Sequence, residues 1–272
     1  MKREKLLLSI YLFFSPLLLS EGFAQSYKET ASSLPDSRHS YIELSAGAGV
    51  STFRDLATSP LFYQGASFSL SGGYLGADKK REVYAGASYH YGLLTGKFNN
   101  TSKSSSFYSL DLNHHTMYTL NKFSSAGWVI RCGWSVVSST NIRENSALMN
   151  NSLGVENISN IMASGRVTRN LVKKSSLSFT FNLGVLNMNY RPGYAYNYIP
   201  QITGSEISNF GDYKLSLNGF RIQSRIVYSR VFMNRNSARL TYLFDAYNAP
   251  GKFEPLNFIR HSLSLSLLFN YR

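Results

Sequence analysis

The side chains that could carry out catalysis are few and scattered. The chain has five histidines and one cysteine. His261 and Ser262 are adjacent, but neighbours on a β-strand point to opposite faces, so this pair cannot act together from one strand. If the strands on either side of residues 96–105 pair, His90 comes near Asp111, and a histidine beside a carboxylate can serve as an oriented general base. A structural hydrogen bond in the lumen is the alternative, and it is favoured because such contacts are more often structural.

The sequence contains no dense set of metal ligands or phosphate-binding glycines. One cysteine excludes an intramolecular disulfide and any site that needs several cysteines from one chain. Residues 92–97 (GLLTGK) fall one residue short of a phosphate-binding loop and lead into no helical pattern. We therefore expect no catalytic residue, no metal and no cofactor, and a lipid- or peptide-cleaving enzyme stays open as the alternative. The acidic residues of the predicted loops are spaced singly: Asp55, Glu144, Glu156, Glu206, Asp212 and Glu254.

The elements that position these residues are β-strands. From Tyr41 onward, apolar and polar residues alternate with a period of two, and helical spacing is hard to find. The alternation is clearest in residues 177–185 (LSFTFNLGV) and 262–271 (SLSLSLLFNY). Ten such segments can be counted, and twelve strands are possible if residues 138–160 and 189–214 each contain another. The pattern predicts an all-β, antiparallel fold.

Residues 1–24 have the three parts of a secretory signal peptide. A basic start (MKREK) precedes an apolar run at 6–20, and the small residues Gly22 and Ala24 predict cleavage after Ala24. A membrane anchor is the alternative, but the run is shorter than the ~20 residues that a spanning helix needs. Residues 25–40 are polar and are interpreted as a flexible arm, which leaves residues 41–272 as one domain.

The connections between the predicted strands alternate in length. Short connections are expected at 77–82, 121–127, 171–176 and 233–236, and longer ones at 54–61, 96–105, 138–160, 189–214 and 248–258. Short turns at one end and long loops at the other are typical of a membrane β-barrel. With ten strands, both ends of the domain fall on the short-turn side.

The C-terminal strand carries a resemblance to the bacterial outer-membrane β-barrel proteins. Those proteins end in a strand with alternating apolar residues and a terminal aromatic, which their insertion machinery reads, and Leu265, Leu267, Phe269 and Tyr271 match that pattern. Arg272 adds one residue beyond the aromatic, which departs from it. The resemblance implies an up-and-down barrel in the outer membrane of a Gram-negative bacterium, with residues 25–40 as a periplasmic arm and the insertion machinery as a partner.

A secreted β-sandwich would also alternate. Two features favour the barrel: the polar face is mostly Ser and Gly, which suits a narrow lumen, and the apolar face becomes aromatic toward the strand ends. A mean hydropathy of −0.17 excludes a polytopic helical membrane protein. The aromatic residues predicted to lie at the membrane interface are Tyr74, Tyr91, Tyr108, Tyr118, Trp128, Tyr228, Phe269 and Tyr271.

The polar faces of the predicted strands place charges in a narrow lumen. Such charges need partners or water. They predict either a structural network that plugs the barrel or a narrow, porin-like passage that favours anions. The residues predicted to line the lumen are Glu43, His90, Asp111, His115, Arg131, Arg166, Arg221, Arg225, Arg239 and Asp245.

The formal charge of +13 bears on partners. Much of it lies in the predicted periplasmic turns, so we expect contact with anionic lipid headgroups or lipopolysaccharide phosphates rather than nucleic acid. The long loop 189–214 is rich in Tyr and Asn and is either a recognition surface for an unknown ligand or a packed lid over the barrel mouth.

Overall fold

A computed structural model describes residues 39–56, 61–98, 101–125, 127–144, 153–171, 174–192, 213–232, 235–249 and 255–271. These residues form eleven strands and one 3-10 turn, Asn121–Phe123. In the described ranges, no helix is long and apolar enough to cross a membrane. The strands are β1 His39–Asp55, β2 Tyr63–Ala77, β3 Arg81–Phe98, β4 Thr101–Thr119, β5 Trp128–Glu144, β6 Leu153–Leu171, β7 Ser175–Pro192, β8 Tyr213–Ser216, β9 Phe220–Val231, β10 Ser237–Ala249 and β11 Leu256–Asn270.

The strands close into one antiparallel barrel. Strands that are adjacent in sequence pair with each other, except β8 and β9, and β1 closes the sheet by pairing with β11 from Tyr41↔Asn270 to Asp55↔Leu256. The short β8 and the longer β9 both pair with β7, so they form a single barrel strand interrupted at residues 217–219. The barrel therefore has ten strands, as the alternation predicts, and the twelve-strand alternative is wrong.

The two ends of the barrel differ. The lower end carries the connections 78–80, 120–127, 172–174 and 232–236, and the upper end carries the other five. Asp78 closes the first lower turn by accepting hydrogen bonds from the backbone N–H groups of Lys80 and Arg81 at 2.7 and 2.6 Å. Lys174 and Arg235 take positive φ values of 60° and 61° in two of the other lower turns.

The upper hairpins are longer than the sequence pattern predicts. β3 and β4 stay paired as far as Phe98↔Thr101, and β5 and β6 as far as Glu144↔Leu153, so much of the segments predicted as loops at 96–105 and 138–160 is strand. These extensions are mostly polar, with isolated apolar residues such as Ile142 and Ile158, and therefore lack the regular alternation that identifies a strand. Hydrogen bonds between polar side chains, such as Ser138 to Ser159 at 2.8 Å, follow the ladder there.

The outer surface of the barrel is apolar. Leu70 on β2 is 64% exposed and Leu265 on β11 is 58% exposed, although both lie in the middle of paired strands. The inward positions between such residues are Ser and Gly for much of β1, β2 and β11. A β-bulge in β7 leaves Val185 unpaired between Gly184 and Leu186, and this extra residue returns the next two asparagines, Asn187 and Asn189, to the interior.

Candidate functional site

Four charged side chains meet in the centre of the lumen: Asp111 on β4, Arg221 on β9, Asp245 on β10 and Arg260 on β11. We call them the central charge cluster. Arg221 donates two hydrogen bonds to Asp245, at 3.0 and 2.7 Å. Nη2 of Arg260 donates to Asp111 at 2.8 Å and to Asp245 at 3.1 Å. All four residues are buried, so two positive and two negative charges offset each other away from water.

Polar groups on the opposite wall complete this cluster. Nη1 of Arg221 donates to Oγ of Ser139 at 3.0 Å and to Oδ1 of Asn160 at 3.2 Å. Oγ of Ser109 donates to Oδ1 of Asp111 at 2.8 Å. Because these partners lie on β4, β5 and β6, the hydrogen-bonded network reaches across the lumen from β9–β11 to the facing strands.

An apolar layer lies above the central charge cluster and fills the upper part of the lumen. Phe53 stacks on Tyr63 with ring centroids 5.1 Å apart, and Tyr247 stacks on Phe258 at 4.7 Å. The guanidinium carbon of Arg221 lies 5.2 Å from the centre of the Tyr247 ring, so the apolar layer rests directly on the charges. The members of the layer are Phe53, Tyr63, Leu94, Phe107, Ile158, Tyr247, Ala249, Leu256 and Phe258.

A second buried ion pair network lies at the same end. Nη2 of Arg143 donates to Oδ2 of Asp55 at 2.6 Å and to Oε2 of Glu156 at 2.5 Å. Nδ2 of Asn141 joins Glu156 to the hydroxyl of Tyr247, at 3.2 and 2.8 Å. The expectation that Asp55 and Glu156 are isolated loop acids is therefore wrong, because the extended strands β1, β5 and β6 bring them to one arginine.

The lower half of the lumen contains a cavity of about 360 Å³. Its lining begins beside the central charge cluster at His90 and ends at residues next to the lower turns, such as Ala77 and Val231. We call this space the lower chamber. Serine hydroxyls and arginine side chains supply most of its polar lining. The ring of Tyr84 also lines the chamber and stacks on the ring of His115, with centroids 5.4 Å apart.

Glu82 holds one wall of the lower chamber together. It accepts hydrogen bonds from Nη1 of Arg131 at 3.3 Å and from Nη1 of Arg166, and its Oε1 lies 3.0 Å from Nε2 of His115. The sequence pattern assigned Glu82 to a turn, whereas it is the second residue of β3 and points inward. Across the chamber, Arg239 lies 3.5 Å from Glu43.

The structure places every predicted lumen residue inside the barrel. Asp111, Arg221 and Asp245 belong to the central charge cluster, and the others line the lower chamber: Glu43, His90, His115, Arg131, Arg166, Arg225 and Arg239. Sequence reasoning missed five further inward charges, which lie near strand ends or on the extended strands: Asp55, Glu82, Arg143, Glu156 and Arg260. Arg260 lies two residues before the predicted start of the last strand. Only an extension of that strand's alternation back to Phe258 could have indicated that Arg260 points inward.

The histidines do not form a nucleophile–base pair. Nε2 of His90 lies 3.1 Å from Oδ2 of Asp111, an oxygen that also accepts from Arg260. His261 lies on the outer face and Nδ1 of its ring contacts the Tyr242 hydroxyl at 2.7 Å. Within the described ranges, neither histidine is hydrogen-bonded to a serine hydroxyl, and no group of three or more His, Cys, Asp or Glu side chains could hold a metal ion.

The aromatic residues predicted for the membrane interface lie on the outer face. Tyr108 and Tyr118 are ten residues apart on β4, which is about 33 Å along the strand and about 25 Å in height at a tilt of roughly 40°. This height matches the apolar band of an outer-membrane barrel. Arg169 lies against the Trp128 ring at 5.3 Å, and Tyr91 faces Tyr108 with ring centroids 5.2 Å apart.

The remaining aromatic residues cluster where β1, β2 and β11 reach the lower end. Ile42 pairs with both Tyr74 and Phe269, and the Tyr74 ring lies 6.4 Å from that of Tyr271. Leu265, Leu267 and Phe269 point outward from β11 and are exposed, and Tyr271 follows the strand. The reading of these four residues by an insertion machinery stays a prediction.

No family model and no curated protein matches the chain. Several solved structures match it. The outer membrane protease OmpT from Escherichia coli matches with a TM-score of 0.53 at 7% identity, over 87% of this chain and 97% of that chain. The translocator domain of the autotransporter NalP from Neisseria meningitidis has a TM-score of 0.39 at 12% identity, over 96% and 99% of the two chains. Neisserial surface protein A has a TM-score of 0.35 at 10% identity, over 84% and 97%. With ten closed strands and an apolar outer surface, the chain has the fold of the bacterial outer-membrane β-barrel proteins.

Proposed function

We propose that this protein is a non-enzymatic outer-membrane barrel with a plugged lumen, which does not conduct ions or solutes between its two ends. The observation that carries this proposal is the pair of stacked layers in the lumen. The central charge cluster joins strands on both sides of the barrel, and the apolar layer lies directly above it. A solute would have to separate Arg221 from Asp245 and then pass Phe107 and Phe258.

The cost of that passage supports a permanent plug. Arg221 and Asp245 are both 0% exposed, and each is engaged by two or more partners. Breaking a buried pair by removing one partner costs about 3–5 kcal/mol. The narrow anion passage is therefore less favoured than the plug. Other molecules would then contact the protein at its outer surfaces or in the lower chamber.

The same proposal includes an orientation. The lower end faces the periplasm and the upper hairpins face the exterior, after removal of residues 1–24. Short periplasmic turns and longer external hairpins are usual in such barrels. Fractionation should recover the protein in washed outer membranes, with gel mobility that shifts on boiling. External protease should cut the upper connections of intact cells and leave the lower turns uncut.

A hydrolase has less support. OmpT is a protease by name, but its 7% identity to this chain extends the likeness to the fold alone. His90 and Asp111 are in contact, but Asp111 is also held by Arg260 and Ser109. The arrangement therefore resembles a satisfied structural network more than a free base.

Conductance in a planar bilayer tests the plug. Folded protein, identified by its mobility shift on boiling, is inserted beside an open porin that serves as the positive control. We expect silence from this protein under conditions in which the porin gives discrete steps. Reproducible steps from the wild-type barrel would overturn the proposal, and anion selectivity in those steps would favour the passage instead.

A further inference from the structure

The lower chamber has more positive than negative charge. Among the residues that the structure describes, its charged lining consists of four arginines and two glutamates, with no aspartate and no lysine. Glu82 is already shared between two of the arginines, Arg131 and Arg166. Glu43 lies beside Arg239. The central charge cluster above the chamber is balanced within itself, with two positive and two negative charges.

Arg225 is the one arginine of the described lining that belongs to none of these ion pairs. Its inward position on β9 is opposite Thr180 on β7, which is in turn opposite Arg166 on β6, so the two arginines flank a threonine in one row across the wall. Thr180 accepts from Nε of Arg166 at 2.8 Å. Arg225 itself makes no direct ion pair and no hydrogen bond with the rest of the described chain, and Glu43 and Asp245 act on it only from a greater distance. Its side chain is enclosed and lines the chamber.

An enclosed guanidinium without a counter-ion is an unfavourable arrangement unless something supplies the charge. Arg225 presents a planar fork of N–H donors that matches the oxygens of a phosphate or a carboxylate. The hydroxyls of Ser178, Ser229 and Ser264 also line the chamber. A serine hydroxyl can donate a hydrogen bond to a hydroxyl group of a bound molecule and can also accept one from it.

We infer that the lower chamber is a binding site for a small hydroxylated anion, a sugar-like molecule bearing a phosphate or a carboxylate, which enters from the lower end and is held by Arg225. The volume of about 360 Å³ suits a molecule of one or two sugar rings and excludes a polymer. The chamber ends against the central charge cluster, so the site binds solute without passing it through the barrel. This inference does not depend on the plug being complete, because binding and conductance are measured separately.

Calorimetric titration of the folded, full-length barrel in detergent tests the site. The probes are glucose 6-phosphate for the phosphate, gluconate for the carboxylate and glucose as the neutral control. We expect at least one anion to bind and glucose to give no heat. Arg225→Gln should weaken binding by at least about tenfold, which is the loss expected when one partner of an enclosed charge pair is removed. The matched control is Arg230→Gln, which neutralises an exposed arginine on the outer face of the same strand and should leave binding unchanged.

Two results would overturn the inference: no heat from either anion with wild-type protein, or equal affinity in wild type and Arg225→Gln. A difference between the two anions would identify the group that the site prefers. Should Arg225→Gln fail to fold, Arg225→Lys keeps the charge and removes the planar fork. Its affinity should fall while remaining measurable, and an unchanged affinity would contradict a role for Arg225 in holding the anion.

Discussion

Arg221 and Asp245 face each other in the middle of the barrel and are joined by two parallel hydrogen bonds, Nε to Oδ1 at 3.0 Å and Nη2 to Oδ2 at 2.7 Å. Both side chains are wholly excluded from solvent. The two residues are nearly opposite across the β9–β10 pair, since Arg221 pairs with Tyr247 and Asp245 with Gln223. The pair thus links two adjacent strands and, through Arg260, a third.

Removing Asp245 should therefore destabilise the barrel strongly. Asp245→Ala leaves two buried guanidiniums without a shared carboxylate, and the expected loss in the free energy of unfolding is about 3–5 kcal/mol. Urea unfolding of the detergent-folded protein measures it. The double variant Arg221→Met with Asp245→Ala should recover part of the loss because it removes a stranded charge. The coupling would be contradicted if the double variant lost as much free energy of unfolding as Asp245→Ala alone, or as much as the two single variants together.

Arg225 should behave in the opposite way. Arg225→Gln removes an enclosed cation that makes no direct ion pair with the described residues, so in buffer without multivalent anions the free energy of unfolding should rise by about 1 kcal/mol or more. Arg230→Gln, on the outer face of β9, should change it by less than about 0.5 kcal/mol. Unfolding in urea without and with glucose 6-phosphate measures both. A loss of stability in Arg225→Gln without anion would show that the arginine serves the fold.

The alternation of residues in the sequence is enough to predict the barrel and the direction of its mid-strand side chains, and it favours ten strands while leaving twelve open. Leu263, Leu265 and Leu267 point outward because strand geometry allows no other choice once Ser264 and Ser266 face the lumen. The same reasoning failed at 96–105 and 138–160. Strands that continue above the apolar band carry only isolated apolar residues, such as Ile142 and Ile158, so in sequence they resemble polar loops.

The pairing of the lumen charges could not be predicted from the sequence, for a different reason. Arg260 and Asp111 are 149 positions apart and meet only because the barrel closes between β1 and β11. The pairing partner of a charge depends on strand register and tilt across the lumen, which alternation does not encode. His90 and Asp111 could be anticipated because they lie on β3 and β4, which are consecutive in sequence and pair with each other.

The apolar layer should contribute to stability through packing. Phe107 is 1% exposed, and its ring centroid lies 5.3 Å from that of Phe258 and 6.4 Å from that of Phe53. Phe107→Ala should lower the free energy of unfolding by about 3–5 kcal/mol, as buried Phe→Ala changes do. The same substitution at Phe232, which is 50% exposed beside a lower turn, is the control and should cost much less. Similar losses at the two positions would mean that the layer is loosely packed.

The position of the apolar band gives a test of how the barrel sits in a membrane. Leu112 lies on the outer face of β4 between Tyr108 and Tyr118 and is 55% exposed. An arginine there would lie near the middle of the band, so Leu112→Arg should lower the free energy of unfolding in lipid vesicles by about 2–4 kcal/mol. Ile42 is 49% exposed but pairs with Tyr74 and Phe269 at the lower interface, so Ile42→Arg should cost only about 0–1 kcal/mol. Reversible unfolding from vesicles measures both variants under identical conditions. Equal costs at the two depths would show that the aromatic residues do not mark the membrane boundary, because a charge near an interface can reach water and one at the midplane cannot.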